Sequence, residues 1–330
     1  MARAEARAAI LTATVVALLG AMVAAAGSGT LPFVPAEVAG ALFGRSGDPV
    51  ADQVIRNIRL PRVLAAVLVG MHMALAGTLL QGVLRNPLAA PNVIGVNAGA
   101  GLAAVAVMVL APGAFAWVPP AAFLGALAAA ALVVALGSGL GGFHAASVQI
   151  VLAGVAVSAF FGAATSALMI AFSDDLVITY AWLIGGLSGR GWSYLALLWP
   201  YTVAGTVLAL ALAPKLNLFA LGEEVGRSLG LAAGSVRALA ILVAALLAGS
   251  AVAVAGTVGF VGLIAPHAAR LLVRDDYRIL MPLAGLLGAL LMLLADTTAR
   301  TLFQPVELPV GILTAAMGAP FFLLLLRGAR

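Results

Sequence analysis

The 330-residue chain has no cysteine, a single lysine (Lys215), and only 9% charged residues. Without thiols there are no disulfides and no thiolate metal centres. The lysine is followed by Leu216 and preceded by no glycine loop, so the Gly-x-x-x-x-Gly-Lys-Ser/Thr phosphate loop has no place here. ATP hydrolysis, if the system uses it, is expected on another polypeptide. Soluble domains carry about 25% charged residues. A chain that is 64% hydrophobic lacks the polar cover a soluble globule needs, whereas a bilayer hides such surface. The net charge of +5 and pI near 10.4 do not point to nucleic acid, because the arginines lie scattered between apolar runs rather than on one face.

What remains is a succession of apolar segments. A spanning helix needs about 20 mostly apolar residues. Ten candidates fall near 8–27, 63–84, 93–112, 119–140, 146–171, 193–213, 236–256, 258–273, 279–296 and 308–326. The eighth is short and contains Pro266. The first follows a basic start, but its apolar run exceeds the h-region of a signal peptide, so it reads as a retained span. The expectation is an all-α integral membrane protein, one transmembrane domain over 1–330. With cytoplasmic termini, eleven of the seventeen basic residues fall on the inner side and six on the outer, as the positive-inside bias requires.

An internal echo supports two repeat-like halves, about 58–171 and 236–326. At an offset of 179 residues, 65–89 and 244–268 share Gly70/Gly249, Gly77/Gly256, Thr78/Thr257 and Pro87/Pro266. The copies run in opposite directions, as in transporters with inverted repeats. Regularly spaced small residues also pack helices closely without any repeat.

Two stretches, 86–101 and 256–270, break apolar runs with proline, glycine and polar groups. Irregular backbone at membrane depth belongs inside the protein or beside an aqueous cavity. Asn86, Pro87, Asn97, Gly259 and Pro266 are therefore candidates for a pathway or gate; loops between short helices are the plainer alternative. No acid falls at a helix centre. Asp296 lies near one helix end, and His72, deep in the second span, reads as a packed histidine bonded to a neighbouring helix, with a proton relay or a haem contact as the alternatives. His267 follows Pro266 at an expected helix break, and His144 lies in a short loop. The tetrad GLSG (186–189) matches Gly-x-Ser-Gly, with Ser188 as nucleophile and His267 as base, but it is cheap in a chain with 38 glycines. No catalytic residue, cofactor or metal site is expected.

The exception to the apolar texture is residues 214–235. Leu218, Phe219, Leu221, Val225 and Leu229 alternate with Glu223, Glu224, Arg227 and Ser228, punctuated by Gly222, Gly226 and Gly230. The pattern predicts two short helices around a turn, presenting an apolar ridge with charged flanks to a partner groove. An amphipathic hairpin lying on the membrane is the alternative.

Six blocks, in order, resemble one family: RLPRVLAAVLVG (59–70), NPLAAPNVIGVNAGAG (86–101), ALGEEVGRSLGL (220–231), GFVGLIAPHAARLL (259–272), ADTTAR (295–300) and ELPVGILTAAMGAP (307–320). The chain is similar to permease subunits of ABC importers for iron-siderophore complexes, haem and cobalamin. The resemblance implies a multi-pass inner-membrane protein with ten helices per copy. It also implies a second permease copy or close paralogue, two cytoplasmic ATP-binding subunits and an extracytoplasmic substrate-binding protein. It makes 218–230, with Leu218, Leu221, Gly222, Glu223, Glu224, Arg227, Ser228, Leu229 and Gly230, the ATPase-coupling element. It matches Arg59, Arg62 and Arg300 to outer arginines that dock the binding protein; anchoring to lipid headgroups, or internal pairing such as Arg300 with Asp296, is the alternative. Ferric siderophore is the expected cargo, with haem and cobalamin as alternatives, and an ATP-independent secondary transporter as the reading from another class.

Overall fold

A computed structural model of the protein describes residues 2–138, 147–172 and 176–328. His144 lies outside the described residues. In chain order the helices are α1 (Ala2–Gly27), α2 (Pro35–Leu42), α3 (Pro49–Val54), α4 (Leu60–Leu84), α5 (Val96–Leu110), α6 (Val118–Ser138) and α7 (Ser147–Ala171). Then follow α8 (Leu176–Ile184), α9 (Trp192–Ala220), α10 (Glu223–Ser228), α11 (Ala233–Ala255), α12 (Val261–Val273), α13 (Tyr277–Thr301) and α14 (Val310–Gly328). A π-turn at Ile55–Arg59 joins α3 to α4 without interrupting the rod.

All ten expected spans appear as helices. Seven are long and apolar enough to cross a membrane, and three, at Val96–Leu110, Val261–Val273 and Val310–Leu323, are shorter apolar helices. At 1.5 Å per residue, α5 reaches only about three-quarters and α12 about two-thirds of a 30 Å hydrocarbon layer. Each is preceded by one of the two broken segments, which uses residues that a full span would need.

The bundle is built around α4, α11 and α13. Buried residues make up 78% of the most apolar window of α4, 78% of that of α11 and 61% of that of α13, against 11% for α1. Small residues allow this. A Cβ placed on Gly77 would lie 2.6 Å from the carbonyl carbon of Gly262, and one on Gly70 would lie 2.5 Å from the Cβ of Met292. Between membrane helices, close backbone approach and interhelical hydrogen bonds replace the hydrophobic effect as the source of cohesion. One such polar tie is His72, which is fully buried. Its Nδ1 lies 3.0 Å from Ser250 Oγ on α11, and its Nε2 lies 2.7 Å from Thr202 Oγ1 on α9.

Of the pairs matched in the sequence echo, Gly70 and Gly249 both lie buried within helices, α4 and α11, but the other three hold different local places. Gly77 and Thr78 sit within α4, whereas Gly256 and Thr257 follow the end of α11. Pro87 lies in a loop, whereas Pro266 lies inside α12. The offset of 179 is thus no structural register at these residues.

Candidate functional site

The long helix α9 connects two ends of the bundle. It begins beside the arginines, where Trp192 Nε1 donates to Arg56 O at 3.1 Å, and it runs for 29 residues to the turn before α10. At the α10 end, α9 continues through Pro214 to Ala220. Residues 215–220 therefore form its last turns rather than a separate short helix. The predicted pair of short helices is one helix of six residues between two glycine turns. Gly222 has φ +109° and Gly230 φ +85°, conformations that side-chain-bearing residues rarely adopt.

Ion pairs fix α10. Glu223 accepts from Arg237 Nη2 at 2.8 Å with one carboxylate oxygen and from Arg227 Nη2 at 2.7 Å with the other. Arg237 is itself buried, with its guanidinium 5.8 Å from the ring centre of Phe219, which is also fully buried. Burial alone would raise the Glu223 carboxyl, but Arg237, then Arg227, hold it below the ordinary glutamate range. The underside packs tightly, with Gly226 buried against Leu231. The outward side chains here are apolar: Val225 on α10 is 47% exposed, and Leu221 and Leu229, in the turns at its two ends, are 60% and 59% exposed. Exposed Glu224 and Ser228 lie beside these apolar side chains, which together make up the ridge. Leu218 is half-buried at its base.

Beside the ridge, Asp276 caps α13 by accepting from Arg278 N at 3.2 Å, and it accepts from Asn217 Nδ2 at 3.0 Å. The Asn217 hydrogen bond is the largest of the influences that hold the Asp276 carboxyl below its usual range.

At the other end the three arginines behave differently from expectation. Arg59 and Arg300 are buried rather than exposed on a rim. Arg59 Nη1 donates to the carbonyls of Ala26 (2.9 Å) and Gly27 (3.0 Å), and its Nη2 to that of Leu31 (2.5 Å). Arg300 donates to Ser28 O at 2.7 Å and to Ala25 O. The last carbonyls of α1 have no intrahelical partners, and these two guanidiniums supply them. Arg62 turns the other way, to Asp296 at 3.0 Å and Glu307 at 2.8 Å. Arg300 completes the group, with its Nε 3.9 Å from Asp296. Arg59 and Arg62, three residues apart, therefore share no open face, and the internal pairing of Arg300 with Asp296 is present.

Of the five gate candidates, the structure brings two together. Asn97 Nδ2 donates to Val258 O at 3.5 Å, beside Gly259, while the Asn97 Oδ1 is buried without a hydrogen-bond partner. The two broken segments thus meet inside the bundle. Asn86 and Pro87 lie apart from them, near the α10 end. There Asn86 Oδ1 accepts from Leu88 N at 2.9 Å, and both residues line a cleft of about 200 Å³ with Gln81, Arg85, Arg270 and Tyr277. Pro266 lies within α12 instead of breaking it; the break comes earlier, between Gly256 and Phe260. His267 accordingly caps no break, and its ring packs edge-on against Phe321 at 5.6 Å.

A cavity of about 410 Å³ at the arginine end is not legible in the sequence; its lining includes Arg62, Trp182, Ser188, Arg190, Tyr194 and Glu307. The sequence marks Arg190 only as an external basic residue. The cavity arises because α8, a helix not expected from the apolar runs, comes against the starts of α6 and α9 and the segment leading to α14.

The chain as a whole is similar to known proteins. Residues 9–328 match the FecCD transport family. The Fe(3+)-citrate import system permease protein YfmE of Bacillus subtilis (strain 168) is 41% identical over 91% of this chain and 89% of its own length. The cobalamin import system permease protein BtuC of Halobacterium salinarum (strain ATCC 700922 / JCM 11081 / NRC-1) is also 41% identical, over 91% of this chain and 80% of its own. A solved ABC transporter of metal-chelate type, in an inward-facing conformation, superposes with a TM-score of 0.84 at 32% identity, covering 97% of this chain and 99% of that one. With ten apolar helices of ten residues or more among the described residues, and matches along nearly its whole length, the chain belongs to the FecCD transport family, as a membrane-spanning permease of an ABC importer.

Proposed function

We propose that this chain forms the pathway of an importer for a ferric siderophore, paired with a second copy of itself or a close paralogue. Two separate ATP-binding subunits drive it, and an extracytoplasmic binding protein delivers the cargo. The observation that carries this reading is the α10 ridge: three exposed apolar side chains, Val225 on a helix too short to persist alone and Leu221 and Leu229 at its ends, with the helix held by Glu223 between Arg227 and Arg237. A ridge so held suits a groove on a partner. Leu218, Leu221, Gly222, Glu223, Glu224, Arg227, Ser228, Leu229 and Gly230 are its working residues. The α10 end and both termini face the cytoplasm, and the arginine end receives the binding protein. There Arg59 and Arg300 hold the surface in shape, and Arg62 is the member nearest the mouth. The segments of Asn97 and Gly259 line the route between the ends, with Asn86, Pro87 and Pro266 toward its inner side. The two halves, 58–171 and 236–326, move against each other. Haem and cobalamin are the alternative cargoes, since named relatives carry chemically different ones.

The test is Glu223→Arg with Glu224→Arg, which places new positive charge beside Arg227 and Arg237. The ATPase subunit should no longer co-purify, and uptake should cease, while the permease stays inserted. Normal ATP-driven uptake by the double variant overturns the coupling role. Transport by the purified chain with no ATPase present favours a secondary transporter instead. Orientation is read with an impermeant thiol reagent on intact cells, using Ser228→Cys and Ser46→Cys in this cysteine-free chain. Labelling is expected at position 46 and absent at 228, and the opposite pattern reverses the orientation.

A further inference from the structure

The cavity at the arginine end holds a cation that the rest of the fold does not neutralise. Arg62 and Arg300 are matched by Asp296 and Glu307, a group of four with no net charge. Arg190 stands outside it. No carboxylate among the described residues pairs with Arg190. Its Nη1 donates to Tyr194 Oη at 2.9 Å, and its guanidinium lies over the Tyr194 ring at 4.5 Å. Its Nε is buried with no hydrogen-bond partner. A buried donor without a partner is costly, and costlier when it carries charge.

Around Arg190 the cavity is equipped for a ligand. Its volume of about 410 Å³ falls in the range of small-molecule sites, about 300–1,000 Å³. Trp182, Phe115 and Tyr194 supply flat apolar walls, and Ser188 adds a hydroxyl. Because Tyr194 Oη accepts from Arg190, its own proton is available to a ligand oxygen. A guanidinium, a phenol and a serine hydroxyl thus bring donors to one space. Glu307 lines it too, but its carboxylate is already engaged by Arg62.

We propose that this cavity binds a carboxylate-bearing metal chelate at the mouth of the transporter, with Arg190 taking the carboxylate and Tyr194 orienting the guanidinium and donating a second hydrogen bond. The proposal rests on the import reading above and narrows its cargo to chelates of carboxylate or hydroxycarboxylate type. The permease itself then samples the cargo's charge, rather than leaving selection wholly to the binding protein.

The experiment uses the full chain in lipid nanodiscs, with citrate and ferric citrate as probes and a neutral ferric trihydroxamate as the contrast, each titrated calorimetrically. The wild type should bind the carboxylate probes and not the trihydroxamate. Arg190→Gln should weaken carboxylate binding about tenfold or more, the scale of a lost charge-assisted hydrogen bond. Arg190→Lys should retain part of the affinity, and Tyr194→Phe should lose less than Arg190→Gln. Equal thermal melting of the variants establishes that the cavity wall is intact. Failure of both carboxylate probes to bind, equal affinity for the neutral chelate, or unchanged binding by Arg190→Gln overturns the proposal. So does a variant that binds citrate normally but loses the binding protein, because the site then takes an acidic side chain of that partner. An assembled transporter that imports the trihydroxamate equally well as wild type and as the Arg190→Gln variant leaves iron-chelate import standing while this narrower assignment falls. Failure to import any iron chelate refutes the broader reading.

Discussion

At one end of the bundle five charged side chains, Arg59, Arg62, Asp296, Arg300 and Glu307, close on one another and on backbone carbonyls. At the other end one carboxylate, Glu223, holds two guanidiniums and leaves an apolar ridge open. Both are ion-pair networks, yet the first consumes its charges to seal a helix terminus, and the second uses them as a frame for something else to touch. The difference follows burial. Asp296 is 2% exposed, so its pairs act in a poorly screened interior and removing one partner strands the others. The Glu223 side chain is 29% exposed, so water reaches its pairs although the Arg237 side chain is only 5% exposed, and they position a surface besides covering one buried guanidinium.

The largest effect expected from this contrast is that of Asp296→Ala. It leaves Arg62 with only Glu307 and Arg300 with only carbonyls. Breaking a buried pair by deleting one partner typically costs about 3–5 kcal/mol. Thermal melting of the purified permease should show it, whereas Glu223→Ala, which takes one carboxylate from the buried Arg237 at a site open to water, should lower the melt by less. Equal melting of Asp296→Ala and the wild type would mean that carbonyl capping alone holds the arginine end.

A smaller and more local effect should follow from Gly222→Val. A β-branched residue at φ +109° costs about 1–3 kcal/mol of backbone strain. The site is open, with no atom within 4 Å of an added Cβ, so the strain is conformational and not a clash. Amide exchange should rise over 221–230 and stay unchanged in α4 and α11, and uptake should fall with the ridge's order. Uniform loss of protection through the bundle would show that α10 is part of the core rather than a mounted knob.

These two ends also mark how much the sequence discloses. All ten apolar helices are visible in it, because hydropathy over about 20 residues is a bulk property that burial hardly alters. The ridge residues are visible too, since Leu221, Val225 and Leu229 recur at helical spacing among charges. The extent of α9 is not. Pro214 and the polar run after it look like a terminus, but the helix runs on through the proline, which membrane helices tolerate. The arginine end is the least legible. Sequence places Arg59 and Arg62 three residues apart, which suggests a common face. It does not show that α1 ends beside Arg59 with unsatisfied carbonyls, a contact between residues about 30 apart in the chain. The cavity at Arg190 depends on α8 meeting α14, for which no local pattern exists.

The smallest effect concerns pH, and it separates framing from sealing. The Glu223 carboxyl is held below its unfolded value, because Arg237 and Arg227 outweigh the burial that would raise it. A depressed carboxyl contributes its order fully above the unfolded pKa, about 4.3, and loses it as pH falls through the lower folded value. The frame should therefore be constant from about pH 8 to pH 5 and loosen only below about pH 4. A spin label on Ser228→Cys, in a chain with no other cysteine, reports this directly. Its spectrum should stay immobilised across the neutral range and sharpen in acid, while in the Glu223→Gln background it should be mobile at every pH. Solvent screening keeps the change modest and makes it shrink further with added salt. A transition near pH 6, or no dependence on Glu223, would mean that the packing of Gly226 on Leu231, and not the carboxylate, fixes α10.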